Sequence, residues 1–600
     1  MESTQWYAAI LGGIISLMLF SLLHIKFTSN AGSWLHLLFL QHLRYRYIFV
    51  QRRWFNLTRL QAVLLAMYIA GNISALSLSY PSHRGIEANK RDLEQRAAIL
   101  ALTNFCILYY SGSTHQLANW FKIDRDLYAA VHRWVGRVAA LEAILHVVVV
   151  LMLRPRAGSI ILSGVVSIAT TACSIVFYLK WALNLKWMAW SMQNLKRLSC
   201  FRLPDFLASL AMPDWHTIFA LGALSSTFWH IITLPASSTV TKVAIVIISS
   251  LWLMLTIFRL GRILFYSTSA KVLDVWPRQG TIRIRAHVPR RIPISPGAYI
   301  YVFCRRSAFV FDVSRGQPIY VIPDGEGKDW IERGAESFTF LVPRNPHSWI
   351  LERLQKGQGL LIDGPYSDNP HPENYENIFL AARGAGIISA LTVAMFITAR
   401  KKHDAEKRAQ TQVPSGWNRN APAIGMDSSA HKPSVHKDDR PKSLFRDSTR
   451  RIDLYWSLDE NTQEEWVADH IKKLQILDKE HPIVYICCFY PSRNGIPGFS
   501  TVVPSEYVHC YYNTKSGAEL IVEKLEEGET FAFSGEAQII SCGGDDFRNL
   551  IRNSALRMLS RRHHVQLSEF SMRSAYESFP PNVTNLPVHG RSDEEHQGFI

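Results

Sequence analysis

The sequence predicts a multi-pass α-helical membrane domain of about seven spans, then a cytosolic antiparallel β-barrel and an α/β domain. Seven apolar segments occupy most of the first 265 residues. From Ala270 the pattern changes to short alternating runs that proline and glycine interrupt, which is typical of antiparallel strands. From Asn377 an apolar strand, a glycine turn and a helix begin a pattern that is typical of parallel α/β sheets.

The composition agrees with a chain that lies half in a membrane and half in water. Its 600 residues are too many for one core, and 48% of them are hydrophobic, yet the mean hydropathy is only +0.02. The net charge of +16 lies largely beside the apolar segments and in one polar stretch, which favours membrane lipid over nucleic acid as the partner. The eight cysteines form no Cys-x-x-Cys pair, which argues against a disulfide framework and an iron–sulfur site.

The apolar segments are each long enough to cross most or all of a bilayer. Basic residues gather before the second segment and between the fifth and the sixth, so both of these stretches should be cytoplasmic. This topology places the N-terminus outside and everything after Phe265 in the cytosol. The predicted segments are Tyr7–Ile25, Leu60–Tyr80, Ala97–Ser113, Leu127–Leu153, Ser159–Leu183, Asp214–Leu234 and Val240–Phe265.

Two histidine pairs of equal spacing are the most specific feature of the membrane half. His132 and His146 lie 14 residues apart in the fourth segment, and His216 and His230 repeat this spacing in the sixth. On a helix, such a spacing separates two side chains by about 21 Å along the axis and about 40° around it. Each pair therefore shares one helix face and spans much of a hydrocarbon layer that is about 30 Å thick.

Two such helices side by side can hold two stacked metal centres, with one imidazole from each helix at each centre. Bis-histidine haem suits this arrangement, because imidazole is a common axial ligand. The predicted topology runs both segments from the cytosol outward, so the level pairs are His132 with His216 and His146 with His230. Zinc is disfavoured because no cysteine or carboxylate joins the pairs at ligand spacing. The alternative is a polar histidine satisfied between helices, although ionisable groups inside a membrane are costly.

The first cytosolic region predicts a small antiparallel barrel. Thr281–Ala286 and Ala298–Phe303 are predicted strands joined by a turn at Ser295–Gly297, and Ser337–Val342 is a further strand. We accordingly predict the membrane domain over residues 1–268, the barrel over 269–366 and the α/β domain over 367–600.

The α/β region contains a candidate phosphate site. The strand Asn377–Ala382 leads through the glycine turn Arg383–Gly386 into a predicted helix, whose first backbone N–H groups favour a phosphate. Many parallel sheets contain such a turn, so this pattern alone is weak. A polar stretch over about 401–450 predicts a disordered insert, after which strands and helices resume within the same domain.

Taken together, these features resemble the ferric reductase and NADPH oxidase superfamily, and most of all the fungal ferric reductases. The resemblance covers nearly the whole chain, and the paired histidines are its most specific part. Leu361–Tyr366 matches the family's segment before the nucleotide-binding half, Arg383–Ile387 its glycine turn, and Cys542–Gly544 its Cys-Gly-Pro segment. The resemblance implies two haem b groups, FAD and NADPH as cofactors.

The resemblance also implies the residues that contact the two nucleotides, and no catalytic side chain, since the redox chemistry belongs to the cofactors. For FAD they are Gln317, Pro318, Ile319 and Tyr320. For NADPH they are Gly364, Pro365, Gly384, Gly386, Arg493, Cys542 and Gly543. The chain departs from the family where His-Pro-Phe-Thr becomes Gln-Pro-Ile-Tyr, where Gly-Gly becomes Arg-Gly, and where Cys-Gly-Pro becomes Cys-Gly-Gly.

The activity that the resemblance implies is a transmembrane ferric-chelate reductase. Electrons would pass from cytosolic NADPH through FAD and the two haems to a ferric or cupric chelate outside. The alternatives are an NADPH oxidase that reduces oxygen to superoxide, and a diverged, non-enzymatic homologue with weakened flavin binding. We expect the plasma membrane, with a vacuolar membrane as the alternative, and coupling to an iron permease or oxidase.

Overall fold

The computed structural model divides the chain into two compact units, Met1–Leu264 and Phe265–Ile600. The structure describes residues 39–47, 58–77, 86–112, 125–153, 163–173, 215–234, 239–278, 281–306, 309–312, 318–325, 329–343, 354–367, 370–412, 444–492, 502, 504–514, 516–531, 535–561 and 565–571.

The first unit is a bundle of apolar helices. Its described helices are α1 (Arg59–Ser77), α2 (Ile86–Gly112), α3 (Arg125–Leu153), α4 (Ser163–Cys173), α5 (Trp215–Thr233) and α6 (Thr239–Gly261). Short π-helices occur at Leu40–Arg44 and Arg262–Tyr266. Six of the seven predicted segments overlap these helices, and the first, Tyr7–Ile25, lies outside the described residues.

The predicted number of seven spans is not confirmed. Four described helical stretches are long and apolar enough to cross a membrane: Arg59–Ser77, Ala130–Leu153, Thr241–Phe258 and Gly384–Ala409. The last of these belongs to the second unit, where it is 83% buried and forms an internal helix. The apolar parts of α4 and α5 are shorter than a full span.

The outward faces of α3 and α6 are apolar, as a lipid environment requires. Large hydrophobic side chains on these faces are 41–67% exposed: Leu141, Ile144, Val148 and Met152 on α3, and Val243, Ile247, Met254 and Ile257 on α6. A soluble protein rarely exposes so much contiguous apolar surface. Inside the bundle, α2, α3, α5 and α6 contribute to one buried cluster that includes Phe105, Ala139 and Leu224.

The second unit begins with a closed antiparallel barrel, which confirms the barrel prediction. Six strands pair in the order β3-β5-β6-β2-β1-β7, and β7 pairs back with β3 to close the sheet. The strands are β1 (Thr268–Arg278), β2 (Thr281–Ile292), β3 (Ala298–Arg306), β5 (Ile319–Pro323), β6 (Ala335–Pro343) and β7 (Gly359–Ser367). The short strand β4 (Phe309–Asp312) extends β3, and helix α7 (Asp329–Arg333) precedes β6.

A parallel six-stranded sheet follows, which confirms the predicted α/β domain. Its order is β11-β10-β9-β8-β12-β13. The strands are β8 (Asn377–Arg383), β9 (Arg451–Ser457), β10 (Val484–Phe489), β11 (Val508–Tyr511), β12 (Ala537–Gly543) and β13 (Val565–Ser571). The helices are α8 (Ile387–Gln412), α9 (Ala468–Asp478), α10 (Gly517–Phe531) and α11 (Asp545–Arg561). Strands β9, β10 and β11 therefore lie on one side of β8, and β12 and β13 lie on its other side.

The predicted insert at 401–450 is too long. Helix α8 continues to Gln412, and residues 444–450 pack back against that helix. The Asp404 carboxylate accepts hydrogen bonds from the backbone N–H groups of Phe445 and Arg446, at 3.0 and 2.8 Å. Arg400 forms a bidentate pair with Asp447. Residues 413–443 lie outside the described residues.

A buried charged cluster connects the barrel to α9. Asp324, which follows β5, accepts hydrogen bonds from His470 Nε2 at 2.8 Å, Arg285 Nε at 3.1 Å and Thr339 Oγ1 at 2.9 Å. Burial alone would raise the pKa of Asp324, but the hydrogen bond and charge of His470 and the nearby cations hold that pKa below its usual range. The acidic and imidazole groups are paired with one another, so ion pairing explains the cluster without a metal.

The substitution Asp324→Asn should destabilise this unit strongly, because it leaves His470 and Arg285 without their buried anion. Breaking a buried pair typically costs about 3–5 kcal/mol. A lowered denaturation midpoint of the solubilised full chain would measure the loss. Because the pKa of Asp324 is depressed in the folded protein, its stabilisation is present above the ordinary carboxyl pKa and is lost as the pH falls through the folded value.

The control is Arg291→Ala, which breaks the exposed pair between Arg291 on β2 and Glu336 on β6. Pairs of this kind contribute about 0–1 kcal/mol. Equal losses in the two variants would contradict a special role for the buried cluster.

Candidate cofactor sites

The two histidines of each fourteen-residue spacing lie on one continuous helix. Helix α3 contains His132 and His146, and α5 contains the second pair. Ala139, midway between the first two, and Leu224, near the midpoint of the others, belong to the same buried cluster. Close backbone approaches between α3 and α5 are few, whereas α2 and α3 pack along their length. The two helices therefore share a core at the middle level while their backbones stay apart.

The outer histidines are held by hydrogen bonds at Nδ1. His146 Nδ1 lies 3.0 Å from the backbone carbonyl oxygen of Glu94 on α2, and His230 Nδ1 lies 2.8 Å from Ser163 Oγ on α4. A carbonyl oxygen only accepts, so His146 must donate from Nδ1, and in the neutral ring Nε2 then holds a lone pair. This is the usual state of a metal-bound histidine, whose second nitrogen donates to a carbonyl or similar group.

A charge on the His146 ring would act electrostatically on His230. The inner residues are less fully described: His132 is half-buried on α3, and His216 occupies the first turn of α5, with its side chain outside the description. The pairing of His132 with His216 stays a prediction.

The carboxyl ends of β8 and β12 are the switch point of the parallel sheet, and the space outside them is here called the crevice. These strands are neighbours, and the chain leaves their ends toward opposite sides, which is where open α/β sheets bind ligands. The glycine turn after β8 approaches β12 so closely that a Cβ on Gly386 would lie 2.0 Å from the carbonyl oxygen of Cys542. Gly384 has a φ of +53°, in the left-handed region that favours glycine. Gly543 ends β12, so four residues assigned to NADPH meet here.

The arginine that departs from the family pattern has a partner in this crevice. Arg383 Nε donates to Asp459 Oδ1 at 2.8 Å, and both side chains are about half exposed. The indole N–H of Trp456 donates to the carbonyl oxygen of Gly384 at 3.0 Å and so fixes the turn. Complete burial raises the pKa of the Cys542 thiol, so the sulfur beside the turn is neutral.

The other residues assigned to NADPH lie elsewhere or outside the description. Gly364 and Pro365 belong to barrel strand β7, where a Cβ on Gly364 would lie 3.2 Å from the carbonyl oxygen of Tyr299. They are not at the carboxyl edge of the parallel sheet. Arg493 lies outside the described residues. The carbonyl oxygen of the preceding residue, Ser492, accepts a 2.8 Å hydrogen bond from Asn461 Nδ2.

The predicted FAD motif is described from Pro318 onward, and Gln317 lies outside the description. Ile319 and Tyr320 are buried in β5. The Tyr320 ring lies 6.0 Å from the ring of Tyr299 on β3 and 5.9 Å from Phe570 on β13. The phenol that replaces the family's threonine is therefore part of the packing between the barrel and the parallel sheet.

One cavity was not anticipated from the sequence. It has a volume of about 770 Å³ and lies beyond β11, at the same edge of the sheet as the crevice. Its lining residues are Cys510, Tyr511, Tyr512, Asn513, Thr514, Ser516, Glu519, Leu520 and Glu523. The Tyr512 ring stacks on Tyr490 at 5.1 Å. The only sequence signal was the tyrosine pair after a short apolar run, which is too common to be diagnostic.

Comparison with known proteins gives similarity to solved structures alone. No protein-family model and no curated protein matches the chain. A ferredoxin NADP+ reductase from Neisseria gonorrhoeae with bound FAD and NADP is 11% identical over 50% of this chain and 98% of that one, with a TM-score of 0.31. The flavohem-like FAD/NAD-binding domain of a nitric oxide dioxygenase from Vibrio cholerae is 9% identical over 51% and 99%, with a TM-score of 0.28.

A ferredoxin reductase in carbazole 1,9a-dioxygenase is 11% identical over 51% of this chain and 69% of that one, also with a TM-score of 0.28. Values of this size assign neither a family nor an activity to the chain.

The substitution Gly386→Ala should disrupt the crevice, because the added methyl group would overlap the carbonyl oxygen of Cys542. We expect the free energy of unfolding to fall by about 1–3 kcal/mol, the usual cost of overpacking. We also expect weaker NADPH binding, measured by equilibrium dialysis.

Gly359→Ala is the control for this variant, because nothing lies within 4 Å of its added Cβ. Equal denaturation midpoints and equal NADPH affinities in the two variants would contradict the close approach of the turn to β12.

Proposed function

We propose that the protein moves electrons from cytosolic NADPH through FAD and two haem b groups to a ferric or cupric chelate outside the membrane. The observation on which this rests is the state of the outer histidines. His146 donates from Nδ1 to a backbone carbonyl, and His230 is held at Nδ1 by a hydroxyl, at a spacing that repeats on both helices. A neutral ring that donates from Nδ1 has its Nε2 lone pair available to bind iron.

These residues fit haem by the chemistry of their donor atoms. His146 and His230 would hold the outer iron through Nε2, and His132 and His216 would hold the inner one. The bound haems would supply one-electron redox chemistry. Because both axial positions are taken by histidine, the chelate would accept its electron without binding the iron. Glu94 and Ser163 orient the outer rings and make them better ligands.

The crevice of the parallel sheet would hold NADPH. The first backbone N–H groups of α8 follow the glycine turn directly and suit the pyrophosphate. The cavity beyond β11 lies on the same edge, and its tyrosines and hydroxyls suit an adenosine. Cys542 and Gly543 line the other wall of the crevice, where the nicotinamide would approach a flavin.

A diverged homologue with weakened flavin binding is the second candidate, and one observation favours it. The Tyr320 ring lies in packing contact with Tyr299 and Phe570, in the motif that would otherwise contact the flavin. Absence of bound FAD from a protein that retains haem would support this candidate.

The acceptor and location are proposals of the same kind. We place the protein in the plasma membrane, in contact with lipid and coupled to an iron permease or oxidase. Measuring Fe(III)-chelate reduction and superoxide formation in one membrane preparation separates a ferric reductase from an NADPH oxidase. Superoxide as the main product would overturn the chelate as acceptor and leave the cofactor chain in place.

The substitution His146→Ala should remove the outer haem. We expect the low-spin b-type signal in a dithionite-reduced minus oxidised spectrum to fall by about half, because one of two bis-histidine centres is lost. His371→Ala is the control, since this histidine is exposed in the second unit. A full signal in His146→Ala, or no signal in the wild type, would contradict the proposal.

The substitution Ser163→Ala should loosen the outer haem without removing it. Loss of a group that orients a ligand commonly weakens metal binding by about 10–100-fold. Haem transfer to an excess of an apo-haem acceptor protein measures this loss. The control is Thr233→Ala on α5, whose hydroxyl bonds only to its own helix among the described residues. Equal haem retention in the two variants would argue against the role of Ser163.

A further inference from the structure

A buried polar network connects three helices of the first unit around Glu142. The Asn104 amide on α2 donates to Glu142 Oε2 on α3 at 2.8 Å and to Asn72 Oδ1 on α1 at 3.0 Å. The Tyr68 hydroxyl donates to Asn104 Oδ1 at 2.9 Å. Glu142 is 3% exposed, Asn72 4% and Asn104 0%. The network therefore lies inside the bundle, within a stretch of α3 that is apolar enough to cross a membrane.

One oxygen of this carboxyl group is left unpaired. Glu142 Oε1 is buried and has no hydrogen-bond partner among the described residues. Both N–H bonds of the Asn104 amide are already used, one to Glu142 Oε2 and one to Asn72. A carboxylate with a single hydrogen bond in an apolar bundle is costly, whereas a protonated carboxyl needs fewer partners. Glu142 is thus a candidate for a group that binds and releases a proton.

Glu142 lies close in the sequence to a candidate haem ligand on the same helix, α3. Glu142 is four residues before His146, so the two side chains share a helix face one turn apart. Among the described titratable and charged groups on the helices of this unit are Tyr68 on α1, Glu94 and Arg96 on α2, His146 on α3 and His230 on α5. Arg96 donates to the carbonyl oxygen of Leu76, and the Glu94 carbonyl contacts His146.

We propose that Glu142 is an intramembrane proton-binding site that takes up a proton when an electron reaches the centre held by His146 and His230. This inference rests on the proposed function. One electron, supplied by NADPH through the flavin, would lower the charge of a haem held by these two histidines by one unit. One proton from water then binds the Glu142 carboxylate and restores the local charge, and it leaves when the electron passes to the acceptor.

The test is a redox titration of haem absorbance at several pH values, in the wild type, Glu142→Gln and Asp92→Asn. If the reduced state binds more protons, the midpoint potential must fall as the pH rises. We expect this slope in the wild type and in Asp92→Asn, which removes an exposed carboxylate from α2. We expect the outer centre to lose it in Glu142→Gln, which keeps the shape and the bond from Asn104.

An infrared reduced-minus-oxidised spectrum of the wild type provides a second test that needs no variant. It should contain the C=O band of a protonated carboxyl, and the band should shift in D₂O. An unchanged slope in Glu142→Gln, or a wild-type spectrum without the band, would overturn the inference alone. A wild type without haem would overturn the proposed function and this inference together.

Discussion

The proposed role of the first unit depends on the hydrogen bond from His146 Nδ1 to the Glu94 carbonyl oxygen. This bond fixes the tautomer of the neutral ring and connects α3 to its neighbour α2. The same requirement, that a buried polar group find a partner, explains Ser163 beside His230 and Asn104 beside Glu142. Glu142 Oε1 has no partner among the described residues, and this is the basis of the proton-binding role proposed for Glu142.

In the second unit, ion pairs supply the partners that buried polar groups require. Asp324 lies buried against His470 and Arg285, and this cluster holds α9 to the barrel. In the crevice, the backbone of Gly386 packs closely against Cys542. The ion pairs around Asp324 and this close packing position the elements of the second unit, and hydride transfer between two bound nucleotides would need such fixed positions.

The spacing and composition of short segments predicted individual helices, strands and turns. The fourteen-residue spacing placed each histidine pair on one helix, and the apolar run before Arg383 placed β8 and its glycine turn correctly. Contacts between distant residues could not be predicted in this way, such as Tyr320 with Phe570 or Glu142 with Asn104. The charged end of α8 was mistaken for the start of a disordered insert because its composition is polar, although Asp404 anchors the chain that returns to it.

The most direct test of the central claim is anaerobic addition of NADPH to membranes that contain the protein, followed by the haem spectrum. We expect NADPH to reduce the same low-spin haem that dithionite reduces, because the proposed path carries electrons from NADPH through the flavin to the histidine centres. Reduction by dithionite but not by NADPH would contradict that path and would favour a haem protein that has lost its flavin.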